Sequence, residues 1–208
     1  MLAVLNVWVG LIAALFYLPL SEDEPSWPRT IVKTLPLLFF AYAALLQGRG
    51  SVLIAGLLLS ALGDLALSRN GEKAFLAGLS AFALAHLAYV FHFLNLSGAP
   101  IWSAFSINLP LALFLLLHAA LTEFWLVPHT GALKWPVRVY VLLITLMGLA
   151  ALTLPIGVAF LGAGFFIFSD SLLALRMFRM VEDDPLSGRM GWAVWISYIS
   201  GQAMILAA

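Results

Sequence analysis

The 208-residue sequence contains no cysteine, and only 10% of its residues are Asp, Glu, Lys or Arg. The absence of cysteine excludes disulfides, iron–sulfur clusters and thiolate zinc sites built from this chain. A soluble domain carries about 25% charged residues, so the low charge excludes that class. Ten basic side chains balance ten acidic ones, and this leaves none of the basic excess that nucleic-acid binding favours. We therefore predict no nucleic-acid partner.

Long apolar runs dominate the sequence. Hydrophobic residues make up 63% of the chain, and its mean hydropathy is +1.06. Each run is close to the roughly 20 residues that a membrane-spanning helix needs, whereas strands of a membrane barrel are about half as long and alternate in polarity. We predict an all-α polytopic membrane protein, a bundle of about eight transmembrane helices. The predicted spans are residues 2–20, 29–46, 50–68, 74–95, 101–121, 136–153, 156–178 and 189–207.

Basic residues are distributed unevenly among the loops between these spans. Among the even loops and the termini, Arg49 is the one basic residue. The positive-inside rule then predicts that the odd loops are cytoplasmic and that both termini lie outside the cytoplasm. We expect the membrane to be the bacterial cytoplasmic membrane. The basic residues of the odd loops and their flanks are Arg29, Arg69, Lys73, Lys134, Arg138, Arg176, Arg179 and Arg189.

The two halves of the chain resemble each other. The segment GLLLSALGDLAL at 56–67 aligns with GAGFFIFSDSLL at 162–173, with a glycine and an aspartate at matching positions. Four spans per half would preserve orientation, so the pattern predicts a parallel repeat within one integral membrane domain, with halves 1–100 and 101–208. The alternative is chance similarity between two helices rich in leucine and glycine.

Each of these aligned segments carries one acid in an apolar helix, Asp64 and Asp170. A carboxylate inside a bilayer is costly unless it is paired, protonated or facing a wet cavity. We expect the two acids to face each other and to line one cavity open to the cytoplasmic leaflet. Two structural interpretations remain: Asp64 could reach Arg69 or Lys73 at a helix end, and Asp170 could pair with Lys33.

Several other polar residues occur at similar predicted depth, in a chain that otherwise avoids polarity. In the fourth span Phe82, His86, Tyr89 and Phe93 have the spacing of one helix face. A lone buried histidine is more often a helix–helix hydrogen bond than a catalytic group. The candidate site residues beside the two acids are Lys33, His86, Tyr89, Tyr140, Ser169, Tyr198 and Gln202.

Other polar residues are assigned no chemical role. His92, His118 and His129 are expected at the membrane interface or in loops. The cluster Glu182-Asp183-Asp184 is expected to be a solvated loop. No HExxH motif or paired-histidine spacing occurs, so we predict no metal site and no cofactor.

These residues together resemble a known family. The pattern is similar to the YhhN family of membrane proteins, whose animal members are lysoplasmalogenases of the TMEM86 type. The similarity covers about residues 30–206, with departures at Thr34 and at residues 199–201. The residues that carry it are Lys33, Gly63, Asp64, Phe75, Gly78, Phe82, His86, Tyr89, the segment 136–147 with Tyr140, Phe168, Ser169, Asp170, Tyr198 and Gln202.

The resemblance implies hydrolysis of the vinyl ether bond of lysoplasmalogens to a fatty aldehyde and glycerophospho-ethanolamine or -choline, with lysolipid, water and membrane lipids as partners. This chemistry needs one protonated acid and one carboxylate, a division that two acids in a desolvated site can supply. We assign Asp170 as general acid and Asp64 as the carboxylate, with the reverse left open. His86 would relay protons, and Lys33 would bind the phosphate. The remaining substrate-binding candidates are Tyr89, Tyr140, Ser169, Tyr198 and Gln202.

Two functions of other classes fit the same sequence. Intramembrane acids and a histidine could form the ion pathway of a small proton-coupled transporter. The protein could also bind lipid without catalysis. Product released by purified protein in detergent would favour the enzyme, and uptake that needs sealed vesicles would favour a carrier.

The predicted topology is testable with reporter fusions. Because the basic residues place both termini outside, a C-terminal alkaline phosphatase fusion should be active in a bacterial host. A matched fusion in the third loop, between Ser68 and Glu72, should be inactive. Bright fluorescence from a cytoplasm-dependent reporter at the C-terminus would contradict this topology.

Overall fold

A computed structural model describes residues 1–181, 184 and 186–208. Within them the chain forms nine α-helices and three 3₁₀ turns and has no strand. Two residues of the expected acidic loop, Glu182 and Asp183, lie outside the described residues. The helices are α1 (Leu2–Tyr17), α2 (Trp27–Leu46), α3 (Ser51–Leu67), α4 (Glu72–Ser97), α5 (Ser103–Ile107), α6 (Leu109–Trp125), α7 (Lys134–Ala151), α8 (Val158–Phe178) and α9 (Ser187–Ala207).

Every segment predicted to span the membrane contains a helix. Seven helical segments are long and apolar enough to cross a membrane. Helix α3 is apolar too, but with 17 residues it is shorter than these seven segments. The predicted all-α fold is confirmed, and the protein is an integral, multi-pass membrane protein.

The fifth predicted span, 101–121, differs from the structure. The chain forms the short helix α5, breaks at Asn108 and begins α6 at Leu109. Asn108 has φ −150° and ψ 82°, and its side-chain oxygen accepts a hydrogen bond of 3.0 Å from the Leu111 backbone N–H. This is an N-cap, and Pro110 in the first turn costs the helix no hydrogen bond. Helix α6 begins later than predicted and extends to Trp125, into residues predicted as loop.

The chain divides into two compact units within α4, and the first is Met1–Ala88. In this unit α1 packs against α2, and α2 packs against α3. Glycines allow the closest contacts. A Cβ on Gly10 would lie 2.8 Å from the Phe40 ring, and a Cβ on Gly63 would lie 2.5 Å from the Phe82 ring. The absence of a side chain at Gly63 therefore lets the aromatic ring of α4 cover α3 directly beside the acid.

The second unit is Tyr89–Ala208, in which α6 packs against α7, α7 against α8, and α8 against α9. The α8–α9 contact involves the two backbones. A Cβ on Gly162 would lie 3.0 Å from the Gly201 carbonyl oxygen, and a Cβ on Gly201 would lie 2.9 Å from the Gly162 carbonyl oxygen. Small residues permit such backbone contact between membrane helices. This contact holds α8, which carries Asp170, in place.

Substitution of Gly201 should therefore destabilise the protein, with Gly164 as the matched control on α8. Gly201→Ala forces a methyl group into the α8 backbone, and overpacking of this kind costs about 1–3 kcal/mol. Gly164→Ala adds the same methyl group where nothing lies within 4 Å. We expect the thermal midpoint of purified protein in detergent to fall for the first variant only. Equal midpoints for the two variants would show that the α8–α9 contact is not this close.

Candidate active site

The buried acid of the first unit forms an ion pair with a lysine of α2. Asp64 lies in the last turn of α3 and is 2% exposed. The Lys33 Nζ is 3.7 Å from the Asp64 Oδ1, and its side chain is 14% exposed. A carboxylate without a counter-ion would be strongly destabilising at this position. The ammonium group of Lys33 therefore makes a charged Asp64 tolerable inside the fold.

This ion pair bears on the two structural interpretations of the sequence. Lys33, which one of them paired with Asp170, forms its ion pair with Asp64. Arg69, which the other paired with Asp64, donates a hydrogen bond to the Thr30 Oγ1. The role of Lys33 in phosphate binding remains a prediction, but its ammonium group has a partner within the protein.

Local structure at the start of α2 positions the lysine. Ser26 caps the helix by accepting a hydrogen bond of 3.4 Å from the Arg29 backbone N–H. Pro28 lies in the first turn, where its missing N–H costs nothing. Lys33 follows one turn after Arg29. The Arg29 Cζ lies 5.7 Å, and the Lys33 Nζ 5.9 Å, from the centre of the buried Tyr17 ring. Cation–π attraction to Tyr17 helps to hold both side chains on this face.

The acid of the second unit has a neutral partner. The Tyr140 hydroxyl of α7 donates a hydrogen bond of 2.5 Å to the Asp170 Oδ2 of α8. Asp170 is only half-buried within the protein, unlike Asp64. Two acids at aligned positions therefore differ in partner: one has a cation and the other has a phenol.

The serines beside Asp170 make helix contacts. The buried Ser169 hydroxyl donates a hydrogen bond of 2.8 Å to the Val194 carbonyl of α9, and the Ser171 hydroxyl donates one of 2.8 Å to the Ile167 carbonyl. Ser169 therefore joins α8 to α9. Its predicted contact with substrate stays a prediction.

A buried hydrogen bond joins two other candidate residues. The Tyr89 hydroxyl of α4 donates a hydrogen bond of 2.6 Å to the Gln202 Oε1 of α9, and both side chains are 0% exposed. Tyr198, one turn before Gln202, places its ring edge-on to Phe166 at a centroid distance of 5.3 Å. The sequence analysis predicted both Tyr89 and Gln202 as polar groups of the site. In the structure the two side chains hydrogen-bond to each other.

The four residues predicted to share one face of α4 are all buried. Phe82 and Phe93 are buried, and His86 and Tyr89 are both 0% exposed. His86 therefore lies in the protein interior, at the middle of the helix. Its expected role in proton relay is untested by this placement.

The sequence interpretation missed His118. It was expected at the interface or in a loop, but it lies within α6, and its Nε2 is 3.0 Å from the Ser171 Oγ. Leu115 and Thr122, three residues before and four after it, belong to the buried stripe of α6. That helical spacing could have placed the histidine on the packed face. His92 is likewise buried in α4.

The arrangement gives each acid a different chemical capacity. The carboxylate of Asp64 can stabilise positive charge or orient water, because Lys33 makes the ionised form tolerable. Asp170 is partly accessible, and its carboxyl group accepts a hydrogen bond from a neutral phenol. Pairs of titratable groups in contrasting environments are typical of acid–base sites. No group of three or more His, Asp or Glu residues suited to a metal ion occurs among the described residues.

Comparison with known proteins identifies relatives of this chain. Residues 28–208 match the YhhN family. Lysoplasmalogenase TMEM86A of Homo sapiens is 35% identical over 78% of this chain and 72% of its own length. Lysoplasmalogenase TMEM86B of Sus scrofa is 33% identical, over 93% and 80%. A lysoplasmalogenase of Mycobacterium bovis is 32% identical, over 74% and 59%. No solved structure is significantly similar to the chain.

The family match begins at the first turn of α2 and covers every candidate site residue, including both acids. The relatives include animal and bacterial proteins, all with the same activity in their names. The resemblance inferred from the sequence is thereby confirmed, and the chain belongs to the YhhN family.

Proposed function

We propose that this protein is a membrane-embedded hydrolase that cleaves the vinyl ether bond of lysoplasmalogens. The products would be a fatty aldehyde and glycerophospho-ethanolamine or -choline. Family membership and the names of the relatives support the substrate class. The observation that carries the mechanism is the contrast between Asp64, paired with Lys33, and Asp170, bonded to Tyr140.

The reaction needs both forms of a carboxyl group. Protonation of the alkenyl carbon beta to the ether oxygen converts the vinyl ether to an oxocarbenium ion. Water adds to that cation and loses a proton, and the resulting hemiacetal collapses to the aldehyde and the glycerol hydroxyl. A general acid must therefore deliver the first proton, and a carboxylate must stabilise the cation and orient the water.

The partners of the two acids support one assignment of these roles. Asp64 is proposed as the carboxylate, because a cation 3.7 Å away favours its charged form. Asp170 is proposed as the general acid. Its Oδ2 accepts a hydrogen bond from the neutral Tyr140 hydroxyl, and a carboxyl group can accept such a bond while it is protonated. Partial exposure allows it to be protonated again after each turnover. That the two acids share one cavity stays a prediction.

The other candidate residues have supporting roles in this proposal. His86 would relay the proton, with Tyr198 helping to hold the attacking water. Tyr89 and Gln202 would form a buried polar wall, since each satisfies the other. Ser169 would act chiefly through its bond to α9. The lysolipid would enter from the cytoplasmic leaflet of the bacterial membrane, in keeping with the predicted orientation of the loops.

Neutralising either acid should abolish hydrolysis. Asparagine keeps the shape of aspartate but supplies neither a carboxylic proton nor a negative charge. Asp64→Asn and Asp170→Asn should each lower kcat by about a hundred- to ten-thousand-fold. The matched control is Asp23→Asn in the exposed loop before α2, which should leave kcat unchanged. Aldehyde release from lysoplasmalogen by purified, folded protein in detergent is the measurement. Either variant retaining more than about a tenth of wild-type turnover would end the two-acid mechanism.

Lys33→Met separates two roles of the lysine. A phosphate-binding role predicts a higher KM with little change in kcat, because the headgroup is bound in the ground state and the transition state alike. The ion pair with Asp64 predicts a lower kcat, since the carboxylate that stabilises the cation loses its counter-ion. We expect the kcat effect, together with a loss of stability, because breaking a buried pair costs roughly 3–5 kcal/mol.

The stability effect can be separated from the catalytic one. The double variant Lys33→Met with Asp64→Asn removes both charges, so it should recover much of the thermal stability without recovering turnover. A pure KM effect in Lys33→Met, measured on the folded fraction, would assign the lysine to the phosphate instead.

A further inference from the structure

Three cations gather at the first turns of α2, and one of them has a carboxylate partner. Lys33 is paired with Asp64. Arg29 and Arg69 form no ion pair within the part of the chain that the structure describes. This end of the first unit therefore has a surplus of positive charge on two guanidinium groups.

Arg69 is held in a fixed orientation by α2. It follows the last turn of α3, and its Nη2 donates hydrogen bonds to the Thr30 Oγ1 and, at 3.5 Å, to the Ser26 carbonyl. Its guanidinium carbon lies 3.9 Å from the centre of the Trp27 ring. Stacking on an aromatic ring and a planar array of donors suit an arginine to phosphate recognition. The exposed Trp27 ring also fits the level of lipid headgroups.

The acceptor on Thr30 is itself fixed by buried hydrogen bonds. The Thr30 hydroxyl donates to the Ser26 carbonyl at 2.9 Å, and the Ser68 hydroxyl lies 2.8 Å from it. Thr30 and Ser68 are both buried. The position of the arginine is therefore set before any ligand arrives, and a pre-organised group loses little freedom on binding.

Most donors of Arg69 have no acceptor in the described structure. A guanidinium carries five N–H donors, and its hydrogen bonds to Thr30 and Ser26 come from Nη2 alone. The Nε atom is buried and has no hydrogen-bond partner. A buried donor left in this state is unfavourable unless a ligand supplies the acceptor. An anion with several oxygens is the ligand that matches these donors.

Arg29 adds a second fixed guanidinium. Its Nε donates to the Leu20 carbonyl at 2.9 Å and its Nη2 to the Ser21 carbonyl at 2.8 Å. These bonds anchor the side chain to the 3₁₀ turn after α1 but leave its positive charge without a carboxylate. Arg69 is bonded to Ser26 and Thr30 at the start of α2, and Arg29 belongs to the same turn. Both guanidinium groups are therefore anchored at this helix start.

From this arrangement we propose that Arg69, supported by Arg29, binds the phosphate of the lysolipid headgroup. The inference rests on the proposed function and names the phosphate subsite of that same site. Arg69 follows the end of α3, whose last turn carries Asp64, so both residues lie at the same end of that helix.

Recognition by these arginines also bears on specificity. Ethanolamine and choline lysolipids share the phosphodiester, and the groups described at this site contact that shared part. The site accordingly selects a phosphate-bearing lysolipid over an uncharged ether glycerol, without selecting between the two amines.

The test compares two uncleavable ligands that differ in the phosphate. One is a lysophospholipid with a saturated ether chain, and the other is the 1-alkylglycerol with the same chain. Affinities are measured by calorimetry in detergent for wild type, Arg69→Gln and Arg69→Lys. The control Arg49→Gln alters an arginine at the other end of α2, in the loop before α3.

We expect Arg69→Gln to weaken binding of the lysophospholipid by about ten- to a hundredfold, the loss of charge-assisted hydrogen bonds, and to leave the alkylglycerol affinity unchanged. Arg69→Lys should give a smaller loss, because it keeps the charge but not the planar donors. Arg49→Gln should change neither affinity. The ratio of the two affinities within one variant does not depend on fold stability, so a lower thermal midpoint leaves the test valid.

If the Arg69 variants bind both ligands more weakly by the same factor, Arg69 has a structural role that holds α2 against α3. That result would overturn the phosphate site. Competition by inorganic phosphate alone, with equal wild-type affinity for the two lipids, would assign the arginines to free phosphate and overturn it too. The proposed function fails separately. Wild type that binds lysophospholipid through Arg69 but releases no aldehyde from lysoplasmalogen would overturn the hydrolase and leave the phosphate site standing.

Discussion

The cost of placing a carboxylate inside an apolar helix shapes the first unit of this protein. Lys33 lies 3.7 Å from Asp64 and can offset the cost of a charged carboxylate there, and Lys33 can be there because Ser26 and Pro28 start α2 one turn and a half earlier. The glycine before the acid lets Phe82 cover the same stretch of α3. The start of α2, the packing of α4 on α3 and the ion pair therefore all act on the same group, the desolvated Asp64 carboxylate.

The second unit solves the same problem in another way. Its acid is Asp170, on α8. It accepts a hydrogen bond from the neutral Tyr140, and it keeps partial access to its surroundings. Its helix is fixed by backbone contact at Gly162 and Gly201, and the phenol of Tyr140 orients its carboxyl group. In the proposed mechanism this group is the general acid.

The fold could be predicted from the sequence more fully than the site. Hydropathy depends on length and composition, and it predicted a segment that contains a helix in all eight cases, although the fifth segment breaks at Asn108. It could not identify the cap at Asn108, because a helix start is set by a side-chain hydrogen bond that an average over many residues does not register. The two acids stood out as polar residues in apolar runs. Their partners did not, since Lys33 and Tyr140 were two of several polar residues at similar predicted depth, and only packing decides which of them meets which acid. His118 was missed because its partner in the fold is the Ser171 hydroxyl, and nothing in the sequence distinguished that serine from its neighbours.

The charges at the start of α2 also give a reason for assigning the carboxylate to Lys33 and the proposed phosphate to Arg69. If the ammonium of Lys33 bound the phosphate, it would draw a second anion towards the Asp64 carboxylate and share one charge between two negative groups. An ammonium is compact and suits a single carboxylate, whereas a guanidinium is planar, weakly hydrated and able to stack on Trp27 while it keeps its other donors. In the proposal, Lys33 pairs with the acid, and Arg69, which follows the end of α3, would hold the phosphate apart from that pair. The Asp64 carboxylate would then be available to stabilise the oxocarbenium ion of the proposed reaction.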